Sequence, residues 1–424
     1  MIFSDIGLSG LITREIIQQK EGYRSFIATA FAIKSALVVA STIAIVLIGP
    51  AISDIPEARL ILPWIAGVLL FDAVRDFVLY LNTAFEKMER DMLVKCVMSI
   101  LTVLVGVLLL QINPIPRSVA IGYALGGGVG MVLALWTVGR DVRAVFGAYD
   151  RTLLRTVMMT TLPFAAISLI NTVMANTDIY LLGIWRDATE IGLYSSAQRI
   201  YQLILMVPVI IATAIFPLLS RLATNDDGRF AFVLGKVTAS MFVVGLPISI
   251  GGVLLAPRLI PLFFGAGFEH AVPILQVLLV MLLAAFPLVL FSNSVFAYNG
   301  QGSLAIIYTL GMIANAVTNI ILIPSFGALG SAAATLLSTT VITGLVWRRL
   351  YRMTAFRVFS RLGRSMVALG SMIVTILVIG SWPLGLVIIT GALVYVGVLL
   401  VLREPLITEV RTLFGPTTPP TVIH

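Results

Sequence analysis

The sequence has one cysteine, two histidines and only 11% charged residues among its 424 positions. Cys96 alone excludes an intrachain disulfide, and His270 and His424 are too few for a metal centre or a histidine-based catalytic set. A glycine-lysine phosphate loop and a nucleophile elbow are both missing, so ATP-driven pumping and serine hydrolysis have no motif here. Strand-like alternation is absent too, because the apolar runs are continuous and far longer than the roughly ten residues of a barrel strand. These absences leave no cofactor and no metal to expect.

What the chain has is apolarity: 59% of it is hydrophobic and its mean hydropathy is +1.05. Runs of about 20 residues, each enough to cross a ~30 Å hydrocarbon layer, fall at 26–48, 60–82, 92–111, 118–139, 157–184, 189–217, 233–255, 271–295, 304–323, 328–347, 365–382 and 384–402. The fold class is therefore an all-α integral membrane protein with twelve full spans. Met1 to Thr13 is apolar but short; with no basic region before it and no cleavage site after it, it reads as the second half of a spanning helix, not as a signal peptide.

The net charge of +8 does not point to nucleic acid, because the basic residues lie in short segments between spans. Alternating sides along the runs puts 21 of the 28 Lys and Arg on one face, Lys236 and Arg348 to Arg364 included. Arg59, Arg117, Arg186 and Arg258 alone fall on the other, and three lie inside spans. The positive-inside rule makes the rich face cytoplasmic. All five tryptophans fall at predicted span ends, where an amphipathic ring prefers the headgroup layer.

Ionisable residues inside the spans are the candidate site, since a charge at that depth costs several kcal/mol unless it is paired or faces water. The run pair broken by Trp185-Arg186-Asp187 carries Asp178 and Arg199, about 10 and about 15 Å below the break. They can meet as a pair that merely fixes two helices, or Asp178 can bind a coupling proton or sodium ion. Asp72, Arg75 and Asp76, at i, i+3 and i+4, share one helix face as a self-neutralised or a cavity-lining cluster. Lys34 either snorkels to the cytoplasmic surface or joins Arg75 and Arg199 in binding an anion. The run Gly126-Gly-Gly-Val-Gly130 sits inside a span, where close helix packing outweighs a dinucleotide reading.

A weak internal repeat recurs at about 210 residues: Ala120-Ile-Gly-Tyr-Ala matches Ala328-Leu-Gly-Ser-Ala, and Ala84-Phe-Glu-Lys matches Ala297-Tyr-Asn-Gly. Two pseudo-repeated lobes follow, a transporter signature. The expected organisation is an N-terminal lobe at 1–140 lacking one and a half helices at its start, a cytoplasmic linker at 141–156 and a C-terminal lobe at 157–347. A basic cytoplasmic segment at 348–364, two additional helices at 365–402 and a cytoplasmic tail at 403–424 complete it.

The stretches Asp5-Ile-Gly-Leu-Ser-Gly-Leu-Ile-Thr-Arg-Glu-Ile, Asn176-Thr-Asp-Ile-Tyr-Leu-Leu-Gly with Gly192-Leu-Tyr-Ser-Ser-Ala-Gln-Arg, and Ile323-Pro-Ser-Phe-Gly-Ala-Leu-Gly-Ser-Ala carry a resemblance. In order and spacing they resemble the polysaccharide transporter family, which includes the O-antigen flippases of the multidrug/oligosaccharidyl-lipid/polysaccharide exporter superfamily. The resemblance implies two six-helix lobes around a central cavity that moves polyprenyl-diphosphate-linked glycans outward across the bacterial cytoplasmic membrane. In that reading Arg75, Arg199 and Lys34 bind the diphosphate, and Asp178, Asp72 and Asp76 serve ion coupling or helix pairing. The partners are the lipid-linked oligosaccharide, the bilayer, and polymerase or glycosyltransferase machinery docking on the basic segment. The alternatives are a drug or cation antiporter of the same superfamily, an integral membrane polymerase, and an inactive scaffold. The polymerase reading is weakened by outer loops that carry little beyond Asp54, Glu57 and Glu269.

Overall fold

The computed structural model describes residues 23–52, 56–84, 87–137, 149–356 and 363–403. The apolar opening Met1 to Thr13, most of the linker, half of the repeat at Ala84-Phe-Glu-Lys, part of the basic segment and the tail from 404 lie outside the described residues. Eleven helices are described: α1 (Tyr23–Ile52), α2 (Pro56–Ala84), α3 (Met88–Ile112), α4 (Pro116–Trp136), α5 (Leu154–Trp185), α6 (Ala188–Asn225), α7 (Asp227–Phe264), α8 (Val272–Ala297), α9 (Gln301–Met353), α10 (Gly363–Val378) and α11 (Leu384–Val401). Among the described residues there is no strand.

Each of the twelve predicted spans falls on a helical segment, because α9 holds two. Gly327, at φ 57° and ψ −136°, breaks it into α9a (301–326) and α9b (328–353). These fold back as a hairpin: a side chain at Gly311 would run into Ile342, and the Asn315 amide reaches the Ser338 hydroxyl at 3.2 Å. Among the described residues eight helices are long and apolar enough to cross a membrane by length and composition. α2, which carries Asp72, Arg75 and Asp76, is not among them.

Local chemistry sets the boundaries. Asp187 and Asp226 cap α6 and α7, their carboxylates accepting from the Glu190 and Arg229 amides at 3.0 and 2.9 Å. Pro116 opens α4, where its missing N–H costs nothing. Gly265 ends α7 at φ 89°. Pro247 inside α7 leaves the Val243 carbonyl without its helical amide, and the Tyr395 hydroxyl of α11 donates to that carbonyl at 2.7 Å.

The chain forms two compact units, Met1–Ala175 and Asn176–His424, with α5 running through the boundary. In the first unit α2 packs on α1 and α4, and α4 lies against α3. Gly122, Gly126 and Gly130 face Gly106, Thr102 and Met98 of α3, so the glycine run serves close helix packing. In the second unit α8 packs against α6, α7 and α9 around Tyr194, Phe230, Phe286 and Phe291, all nearly inaccessible. The α10–α11 hairpin lies on α7 and leaves an apolar cavity of about 720 Å³ there.

Lys236, counted above with the cytoplasmic segments, lies inside α7. It is buried, with its ammonium over the Phe232 ring at 5.7 Å.

Candidate functional site

The hairpin α5–α6 positions the central residues. Asp178 lies seven residues before the end of α5 at Trp185 and is buried at 8% exposure. Its Oδ2 accepts from the Tyr194 hydroxyl of α6 at 2.6 Å and from the Thr335 hydroxyl of α9b at 2.8 Å. Its Oδ1 accepts from the Asn319 amide of α9a at 2.8 Å. Four helical segments thus meet here: α5 carries the carboxylate, and α6, α9a and α9b each contribute one neutral donor.

Behind this shell the Asn319 amide nitrogen also lies 3.0 Å from both the backbone and the side-chain oxygen of Asn315. The Asn315 amide extends the network to Ser338. Two atoms in it, Asn319 Oδ1 and Ser331 Oγ, are buried without a hydrogen-bond partner, although both residues are fully enclosed. Such orphaned oxygens are uncommon in a folded interior. Carboxylate, amide and hydroxyl oxygens are hard donors, unlike the ligands of a soft metal. Among the described residues no group of three or more His, Cys, Asp or Glu gathers.

The expected meeting of Asp178 and Arg199 does not occur: among the described residues Asp178 has no ion pair, and Arg199 is exposed. The reason is helical phase. Tyr194 is the α6 residue that faces Asp178, and Arg199 follows it by five positions, which turns it roughly 140° away and about 7.5 Å along the axis. α6 buries Tyr194, Ala197 and Tyr201. On another face it presents Ser195, Gln198, Arg199 and Gln202, half-buried to exposed, at spacings that keep them on one stripe.

In the first unit Arg75 donates from Nε and Nη2 to Asp76 at 2.9 and 2.7 Å and from Nη1 to Asp72. Gly127 of α4 leaves room beside the Asp72 carboxylate. This is the self-neutralised arrangement, with a formal charge of minus one over the three side chains. Arg75 is committed to its own neighbours, and the sign of the cluster is wrong for receiving an anion. Lys34 is 2% exposed, with its ammonium 5.9 Å from the Phe77 ring and 5.7 Å from the Tyr80 ring. Neither residue presents a cation as Arg199 does.

Sequence reasoning missed Tyr194, Asn315, Asn319 and Thr335. One signal was available: Asn315 and Asn319 stand at i and i+4 inside an apolar run, a spacing that puts two amides on one face.

The sequence pattern of the polysaccharide biosynthesis protein family matches residues 1–223. Among curated proteins, the chain is 28% identical over 170 residues to the probable low-salt glycan biosynthesis flippase Agl15 of Haloferax volcanii, covering 40% of this chain and 36% of that one. It is 28% identical over 250 residues to the probable flippase AglR of the same organism, covering 56% and 52%. The chain therefore spans about half or less of the curated relatives it matches. Among solved structures, the lipid II flippase MurJ in an inward closed conformation superposes with a TM-score of 0.78 at 14% identity, over 96% of this chain and 89% of that one. An inward-facing multidrug resistance MATE transporter of the MOP superfamily gives 0.67 at 17%, over 83% and 87%. At such identities the likeness is one of fold.

Proposed function

This chain belongs to the polysaccharide biosynthesis protein family, and from that premise we propose that it is a flippase carrying a polyprenyl-diphosphate-linked oligosaccharide across the cytoplasmic membrane by alternating access of two lobes. It acts as a transporter, not as a catalyst. The sequence resemblance favours a bacterial membrane, while the two curated relatives belong to Haloferax volcanii.

The observation that carries the reading is the separation of Asp178 from Arg199. Had the two paired, they would have neutralised each other and served only to fix two helices. Instead one is enclosed by neutral donors and the other is displayed. An exposed Arg about 15 Å inside a span is too costly against lipid, so the stripe of Ser195, Gln198, Arg199 and Gln202 borders a wet path. There the guanidinium meets a diphosphate through charge-assisted, bidentate hydrogen bonds, and the amides and hydroxyl meet sugar hydroxyls. The apolar cavity beside α7 suits the lipid chain.

Asp178 supplies the coupling. A buried carboxylate with no cationic partner offers a place where a proton or a cation can bind. Loading that site and emptying it on opposite sides of the membrane would drive the cycle. The exposed Arg348, Arg349 and Arg352 at the end of α9b and Arg364 at the start of α10 suit anionic lipid and a docking surface for the polymerase or glycosyltransferase that handles the same glycan.

The test is flipping of a fluorescent polyprenyl-diphosphate oligosaccharide in proteoliposomes under imposed sodium or proton gradients. We expect the chain to flip it, Arg199→Ala to lower the rate at least tenfold, and Asp178→Asn to abolish the dependence on the gradient. Transport that survives Arg199→Ala unchanged overturns the substrate assignment. Uptake of small cationic drugs in place of the glycan would favour the antiporter reading that the MATE-like fold keeps open, and new glycosidic bonds would make the chain an enzyme.

A further inference from the structure

The tips of two hairpins are tied together one to two helical turns from the Asp178 site. Arg186, between α5 and α6, donates from Nε and Nη2 to the Ile323 carbonyl at 3.3 and 3.1 Å and from Nη2 to the Pro324 carbonyl at 2.8 Å. Glu190, in the first turn of α6, accepts from the Ala328 amide at 2.8 Å. Arg186 and Glu190 lie 3.6 Å apart and are each about 30% exposed. A side chain on Gly327 would occupy the place of the Glu190 carboxylate, and its φ of 57° disfavours one as well.

The chemistry matches the ends it meets. At residues 323–328 α9a ends in carbonyls with no helical amide, and α9b begins in amides with no helical carbonyl. Those ends carry partial charges of opposite sign. A guanidinium on the carbonyl end and a carboxylate on the amide end satisfy both, and the ion pair links them. Pro324 and Ala328 are the i and i+4 residues whose mutual bond the turn forgoes, so the pair stands in for that bond.

The position of this tie gives it a role. Asp178 and Tyr194 stand on the α5–α6 hairpin, while Asn319 and Thr335 stand on the α9 hairpin, and the carboxylate site exists only while the two hairpins are held in register. We infer that Arg186 and Glu190 are positioning residues for the Asp178 site: the tie sets how closely Asn319 and Thr335 approach the carboxylate and hence the affinity for the coupling ion. The inference rests on the reading of Asp178 as the coupling site.

The experiment is hydrogen–deuterium exchange of the purified full chain in nanodiscs, following peptides over 174–196 and 315–338. Sodium is titrated at constant ionic strength, and pH is titrated separately. In the wild type, sodium or protons should protect both segments, with Asp178→Asn silent to them. Glu190→Ala and Arg186→Ala should move the midpoint at least tenfold in ion concentration, or one pH unit. Glu190→Gln, which keeps an acceptor for the Ala328 amide, should fall between. Gly327→Ala perturbs the tie without altering a charge and should move the midpoint in the same direction, which keeps the test open if an Arg186 variant fails to fold.

If the wild type responds through Asp178 while all four variants respond at the wild-type midpoint, the tie is not a positioning device and the inference falls alone. If the wild type shows no response to sodium or pH, the coupling reading falls and takes the inference with it.

Discussion

Two buried carboxylates, Asp72 and Asp178, have opposite local solutions. Asp72 shares an arginine with Asp76, and the three side chains close on themselves. Asp178 has three neutral donors and no cation in reach among the described residues. Removing the partner tests the difference. Arg75→Ala strands two carboxylates in the first unit and should cost about 3 kcal/mol of stability, the low end for a broken buried pair because Asp76 is more than a third exposed. Unfolding titrations in mixed micelles would register it as an early transition. Arg199→Ala strands nothing and should leave that transition in place while lowering transport. The i, i+3, i+4 spacing of Asp72, Arg75 and Asp76 made their cluster legible in sequence. The pairing of Asp178 with Arg199, also drawn from sequence, failed because depth alone says nothing of helical phase.

Helices in this chain are specified by apolar length and then edited by small residues. α4 comes close enough to α3 that a β-carbon at Gly126 would enter Thr102, side chain and backbone alike. Gly126→Ala should therefore destabilise the α3–α4 contact by about 1–3 kcal/mol, whereas Gly302→Ala, which meets open space, should not. Thermal denaturation of the two variants in the same detergent separates them. Gly327 plays a different part, since its positive φ turns α9a back along α9b. The tie of Arg186 and Glu190 to that turn was not legible in sequence, because its partners are backbone atoms 137 to 138 residues away.

Across the whole molecule, the alternation of spans requires the ends of α6 to lie on opposite sides of the membrane. Its 38 residues reach roughly 57 Å at the helical rise, well beyond a ~30 Å hydrocarbon layer. In a Cys96→Ser background, Thr189→Cys should react with an impermeant maleimide added to intact cells, and Thr224→Cys only after the membrane is opened. Labelling of both from one side would break the alternation and the charge argument with it. The sequence by itself determined the class of molecule and the twelve helical segments, because hydropathy is a property of the chain taken locally. Tertiary structure decided which charges are shared, which enclosed and which displayed. That outcome depends on the rotation of each helix and on contacts from α5 to α9b, across as many as 157 residues, and no local pattern encodes it.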